Sequence, residues 1–178
     1  MTIRPIRYLG DPALRLPARR VRVVDDGIRR LIEDMIESME QAQGVGLAAP
    51  QIGVGLRVVV LGLPGERPFA LINPEVTRRS GERQPEGEGC LSVPGYRGTP
   101  TRSVRVAVRA LDERGDPVEI EAENDLLAQA LEHEVDHVNG VLYVDRLGAE
   151  GRLTKLEGAD WSAEDGARGG GAAAAGGS

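Results

Sequence analysis

The stretch HEVDH, residues 133–137, holds both histidines of the 178-residue chain, four positions apart with Glu134 between them. Residues at i and i+4 of a helix project from one face, one turn apart. On a helix the two imidazoles can therefore offer a nitrogen each to one cation, with a carboxylate beside them to move a proton. This is the mechanical content of the H-E-x-x-H pattern of metal hydrolases. It demands a helix held firmly enough to fix two ligands. The plain alternative is a solvated helix that happens to carry two histidines.

The surrounding periodicity speaks against a solvated helix. From Asn124 or Asp125, which can cap it, a helix is expected to run to about Val138 and stop at Asn139-Gly140. Leu127, Leu131, Val135 and Val138 form its core stripe. Leu126, Ala130, His133 and His137 lie alongside, on a partly buried flank. An earlier helix is marked by Ile28, Leu31, Ile32, Met35, Ile36 and Met39, with Asp25 or Asp26 as cap and Gly44 just past its end. LRVVVLG (56–62) and FALINP (69–74) read as buried strands. SVRVAVRALD (103–112) and VEIEA (118–122) alternate around the turn ERGDP, which predicts a hairpin. The elements do not alternate as βαβ units, so the class is α+β.

Length fits one domain, placed at residues 1–157. Residues 158–178 are low in apolar content and end in Gly and Ala repeats, the composition of a disordered tail. The net charge of −6 has acids and bases interleaved, which argues against nucleic acid or an anionic membrane as partner. No stretch has the length and apolarity of a signal peptide or membrane span. The single cysteine, Cys90, can form no internal disulfide, and the expected compartment is the cytoplasm.

A catalytic site of the zinc type needs three protein ligands and one open position. The extended motif H-E-x-x-H-x-x-G-x-x-H fails here, because Gly140 is present but Tyr143 stands at the third histidine position. A downstream carboxylate would have to be Glu150 or Glu157, at the edge of the tail. Upstream, EGEGCLSVPGYRG (86–98) sets Cys90 among glycines, and a thiolate binds transition metals strongly. Cys90, His133 and His137 would then form a sulfur–nitrogen–nitrogen set. GVGLAAPQIG (44–53) is either a tight loop or a close backbone pass, with Gln51 offering an amide donor.

GVGLAAPQ, EGCLS and HEVDH, in that order, resemble the three signature motifs of the peptide deformylases. The looser similarity runs from LGDPALR (9–15) to GVLYVDRL (140–147). The resemblance implies an α+β fold with antiparallel sheets packed around a central helix bearing HEVDH. It implies one divalent metal ion on Cys90, His133 and His137, ferrous iron in the cell, with zinc, nickel or cobalt also accepted. Glu134 would be general base and acid, and Gln51 with the backbone N–H of Leu91 would hold the formyl oxygen. Gly46 would line the groove for the substrate backbone, and Gln129 the methionine pocket. The substrates implied are the N-formylmethionyl ends of nascent peptides, processed with formate release by a monomer in transient contact with the ribosome. Two positions depart from the commonest pattern: Glu132 replaces glutamine, adding negative charge near the site, and Gln129 is polar where many relatives are apolar. A zinc peptidase with a carboxylate third ligand, and a binding module that has lost its reaction, are the competing readings.

Deleting residues 160–178 is expected to leave both the melting temperature and turnover of short peptides unchanged. A fall of several degrees in a thermal melt would show that Trp161 docks on the body and that the domain boundary lies too early.

Overall fold

The structure is a computed structural model and describes residues 2–85 and 87–156. The tail from 158 to 178, Trp161 and Glu157 lie outside the described residues.

Two helices cover opposite faces of a five-stranded antiparallel sheet. Helix α1, Asp26–Gln41, starts where the Asp25 carboxylate accepts the Ile28 N–H. Its stop differs from the expectation. Gln43 takes the left-handed turn, at φ 55°, and Gly44 N–H closes onto Met39 O. Gly44 is small for another reason: a Cβ there would meet Leu91 Cδ1 at 2.7 Å.

The sheet runs in the order β1 (Gly46–Ala48), β2 (Val58–Leu61), β3 (Phe69–Arg83), β6 (Arg102–Leu111) and β7 (Pro117–Glu123). Strand β2 is buried on both faces, which is why its sequence is an unbroken VVVL. Val58 and Val60 face α1 with Ile32, Met35 and Met39. Val59 and Leu61 face the second helix, α2 (Leu126–Val138), with Leu131, Val135 and Val138. The core is thus two apolar layers on one sheet, each sealed by a helix stripe.

The β6–β7 hairpin is as expected from its alternation, with Ala107 opposite Glu121 and Leu111 opposite Pro117. Strand β3 runs nine residues past FALINP, because Glu75–Arg83 is polar and pairs with β6 on a partly solvated surface. A separate three-stranded sheet joins β4 (Glu88–Cys90), β5 (Val93–Gly98) and β8 (Leu153–Lys155). These strands are short and rich in Gly and Pro, and carry little periodic signal.

Helix α2 begins where the Asp125 carboxylate accepts the Ala128 N–H. Its C-terminal end is capped by Arg57, which donates to Asn139 Oδ1 at 2.8 Å and to Val138 O at 3.4 Å. A cation there suits the negative end of the helix dipole. From Ala130 to Val138 every side chain is buried, polar ones included. The histidine flank is therefore deeper than the sequence suggested, with His137 only 1% exposed.

Gly140 ends α2 at φ 75°, and a Cβ there would lie 2.6 Å from the Arg15 carbonyl oxygen. Gly140→Ala combines a left-handed conformation with a backbone collision, and should cost about 2–4 kcal/mol. For a domain of this size that is a fall of roughly 5–15 °C in melting temperature. A shift under 2 °C would show that the Arg15 loop yields freely.

Candidate metal centre and groove

The metal-binding set is assembled by two elements far apart in sequence. Helix α2 supplies His133 and His137 from one face. Cys90 ends β4, where the register with β5 slips between Gly89 and Cys90 and leaves Leu91 and Ser92 as the turn. A register slip of this kind re-aims a side chain. It brings Cys90 Sγ to 3.3 Å from His137 Nε2, which is 3.2 Å from His133 Nε2. Among the described residues these three form a group able to hold a metal ion, with ligand atoms all within 4.8 Å of one another.

The chemistry of the set fits such an ion. His133 Nδ1–H donates to Glu88 Oε1 at 2.5 Å, which leaves Nε2 as the lone pair. That lone pair faces a second imidazole nitrogen and a sulfur, three donor atoms that one shared cation would satisfy. Tetrahedral coordination with bonds of about 2.0–2.1 Å sets two nitrogens roughly 3.3 Å apart, close to the observed spacing. Glu150 is exposed and outside the group, so the downstream carboxylate finds no place among the described residues. Tyr143 stacks on His133 at 6.1 Å between ring centroids and serves as packing, not as a ligand.

Beneath the histidines lies a buried ionic network. Glu88 accepts from Arg102 at 2.5 and 3.0 Å, and Arg102 also donates to Asp136 at 2.7 Å. Arg146 donates to the same Asp136 at 2.8 Å. Burial alone would raise the Glu88 carboxyl, but hydrogen bonds from His133 and Arg102 hold it below the ordinary glutamate value. An ionised Glu88 fixes the His133 tautomer, as carboxylates behind metal-bound histidines do.

Glu134 has the opposite surroundings. Burial pushes its carboxyl up to about 7, and Oε2 has no hydrogen-bond partner among the described residues. A cation beside it would pull that value down. With burial alone acting on it, the group can exchange a proton near neutral pH. A Cβ on Gly46 would collide with Glu134 Oε1, so β1 can pass this close only with glycine. The segment read as loop or close pass is thus a short edge strand followed by a 3-10 turn, Ala49–Ile52.

That turn buries Gln51. Its Oε1 accepts the Ala48 N–H at 2.8 Å, which orients the amide. Its Nε2 donates to Ser92 Oγ at 3.1 Å and reaches Cys90 Sγ at 3.7 Å. A groove of about 400 Å³ opens over these groups, lined by Gly46, Gln51, Cys90, Leu91, His133 and Glu134. Gln129 and Leu126 form one wall, Tyr96 and Leu156 another. A depression of about 460 Å³ on the five-stranded sheet is lined by Arg78, Arg105, Glu121 and Glu123 and gathers no such chemistry.

All eight residues singled out from sequence therefore meet in one place. Glu132 does not join them. Its carboxylate turns to β6, so its charge faces the sheet and not the groove. Sequence reasoning passed over Glu88, Ser92, Arg102 and Asp136. Glu88 lies two positions before Cys90, inside the stretch already singled out. Arg102 left no signal.

Comparison with known proteins decides what kind of centre this is. The profile of the family described as polypeptide deformylase matches residues 3–152. The chain belongs to the peptide deformylase family. It is 50% identical over 147 residues to peptide deformylase 1 of Clostridium acetobutylicum, covering 83% of this chain and 96% of that one. It is 45% identical over 146 residues to the peptide deformylase of Natranaerobius thermophilus, covering 82% and 93%. A crystal structure of a peptide deformylase from Legionella pneumophila superposes with a TM-score of 0.79 at 47% identity, covering 83% of this chain and 88% of that one. One from Synechococcus elongatus in complex with actinonin gives 0.77 at 43%, covering 82% and 79%. As a peptide deformylase the chain is a metal-dependent hydrolase that removes the N-formyl group from N-terminal formylmethionine.

Replacing Glu88 by Gln keeps an acceptor for His133 but removes the charge that Arg102 and the imidazole share. Metal affinity should fall about 10–100-fold, measured by competition with a chelator. Unchanged affinity would mean that Glu88 serves Arg102 alone.

Proposed function

We propose that this deformylase holds one divalent ion on Cys90, His133 and His137 and carries out formyl hydrolysis with Glu134, Gln51 and the Leu91 N–H. One observation carries the reading: two imidazole nitrogens and a sulfur converge beside the buried Glu134 carboxylate, whose Oε2 has no partner among the described residues, on the floor of a groove. When bound, the cation supplies a Lewis acid and makes a water reactive at neutral pH. Iron is the reading for the cell, with zinc, nickel or cobalt as substitutes, since sulfur–nitrogen sites take all four.

The formyl amide resists water, so the chain must manage one proton and one developing negative charge. Glu134 takes the proton from the attacking water at its free Oε2 and delivers it to the departing methionine amine. Gln51, oriented by Ala48 N–H, offers amide hydrogen to the formyl oxygen, and the Leu91 N–H at the hairpin turn is the second donor. A donor of this kind is typically worth roughly 3–4 kcal/mol in the transition state. Gly46 leaves the backbone of β1 open to the substrate peptide. Gln129, half-buried in the groove wall, contributes to the methionine pocket.

Formylmethionyl nascent chains place the enzyme in transient contact with the ribosome, where they emerge. The groove is complete within one chain, which supports a monomer. Among the described residues no helix is long and apolar enough to cross a membrane. A single cysteine used as a metal ligand suits the reducing cytoplasm. Among the described residues the competing peptidase reading finds no carboxylate ligand, and a module without activity would have no use for an intact Glu134 and Gln51.

Glu134→Gln should lower turnover of a formylated peptide by at least about a hundredfold while the metal stays bound. Metal content after dialysis and kcat on the same preparation decide it. More than a few per cent residual activity would remove Glu134 from its role.

A further inference from the structure

Each histidine ligand follows a buried acid. Glu132 precedes His133, Asp136 precedes His137, and the acids stand one helical turn apart as the histidines do. Asp136 is tied to Arg102 and Arg146. Glu132 is tied to the sheet by three donors. Its Oε2 accepts the Ser103 N–H at 2.7 Å, and its Oε1 accepts Ser103 Oγ–H and Arg79 Nε–H, both at 2.9 Å. Ser103 lies on β6 and Arg79 on β3, so the contact crosses two strands to reach α2.

Arg79 and Glu132 are chemically matched. Ser103 N–H and Arg79 can only donate, so a carboxylate with two acceptor oxygens satisfies the whole set. An amide at 132 would turn its nitrogen toward Ser103 Oγ and leave Arg79 opposite a donor. The Glu132 side chain is 6% exposed and that of Arg79 49%. The acid is therefore fixed, and the arginine closes over it from the solvent side.

We propose that Arg79 and Glu132 act as one positioning unit for His133, setting the rotation of α2 about its own axis. Side chains of a helix reach roughly 5–6 Å from the axis, so a turn of about 10° moves a ligand nitrogen by about 1 Å. Metal and catalytic groups need to be held within about 0.5 Å. Asp136 pins the second half of α2, and Glu132 pins the first half from the side that meets β6 and β3. Arg79 touches no substrate and no ligand; it acts through Glu132.

The proposal rests on Cys90, His133 and His137 being the metal centre, and the experiment separates the two. Cobalt(II) is loaded into the full chain, and the visible spectrum and the rate of release to a chelator are recorded. Wild type should show a thiolate-to-cobalt band. Its absence would overturn the metal-centre reading itself. Arg79→Met should release cobalt at least about fivefold faster and shift the d–d bands, a smaller effect than losing a direct partner of a ligand. Arg79→Lys should restore both readouts to within about twofold, because it restores the charge. Arg79→Met with Glu132→Gln should do so too, since the amide then satisfies Ser103 without needing a cation. A single variant indistinguishable from wild type, or one that melts earlier with an unmoved spectrum, would overturn the positioning role. So would a double variant no better than the single.

Discussion

A helix that carries Glu132, His133, Glu134, Asp136 and His137 within one and a half turns can lie in a protein interior only if the charges are matched around it. That matching is the constraint on which the structure depends. Arg102, 3% exposed, lies under the helix and joins Glu88 to Asp136. Losing one partner of such a buried group strands the other and typically costs about 3–5 kcal/mol. The same network gives His133 its tautomer and anchors β4, the strand that ends in Cys90. Core stability and ligand geometry therefore rest on the same ion pairs.

One acid on this helix is left out of the matching. Glu134 faces Gly46 across a gap no side chain could enter, with one oxygen free of partners among the described residues. Leaving a buried carboxylate unpaired destabilises the fold, and this is the kind of local cost that working sites carry. Glu132 and Asp136 on the helix and Glu88 on β4 are satisfied, and Glu134 stands apart from them.

The legible parts of the sequence were those with a strong period or a chemical signature. Helices α1 and α2, the β6–β7 hairpin and β2 follow from apolar spacing, and Asp25 and Asp125 from cap chemistry. Ligand chemistry joined Cys90 to HEVDH, and the resemblance to the peptide deformylases added Gln51 to the same site. The second sheet was not legible, since strands of three to six residues with Gly and Pro have no period to read. The ionic layer was hidden for another reason. An arginine at position 102 looks like any surface arginine until the fold buries it. Glu132 was read as charge beside the site, whereas helix geometry turns it onto Ser103 and Arg79.

Strand β8 bears on when the hairpin of Cys90 is completed. The hairpin carrying Cys90 is paired along its outer edge by Leu153–Lys155, and Leu156 lines the groove beside it. Cys90 and the two histidines lie far apart in the chain, and the strand that pairs with the Cys90 hairpin follows them both. Contacts between distant segments form last and slowly in folding. In a growing copy of this chain the edge of the Cys90 hairpin therefore stays open until residue 156 is free to fold back on β5.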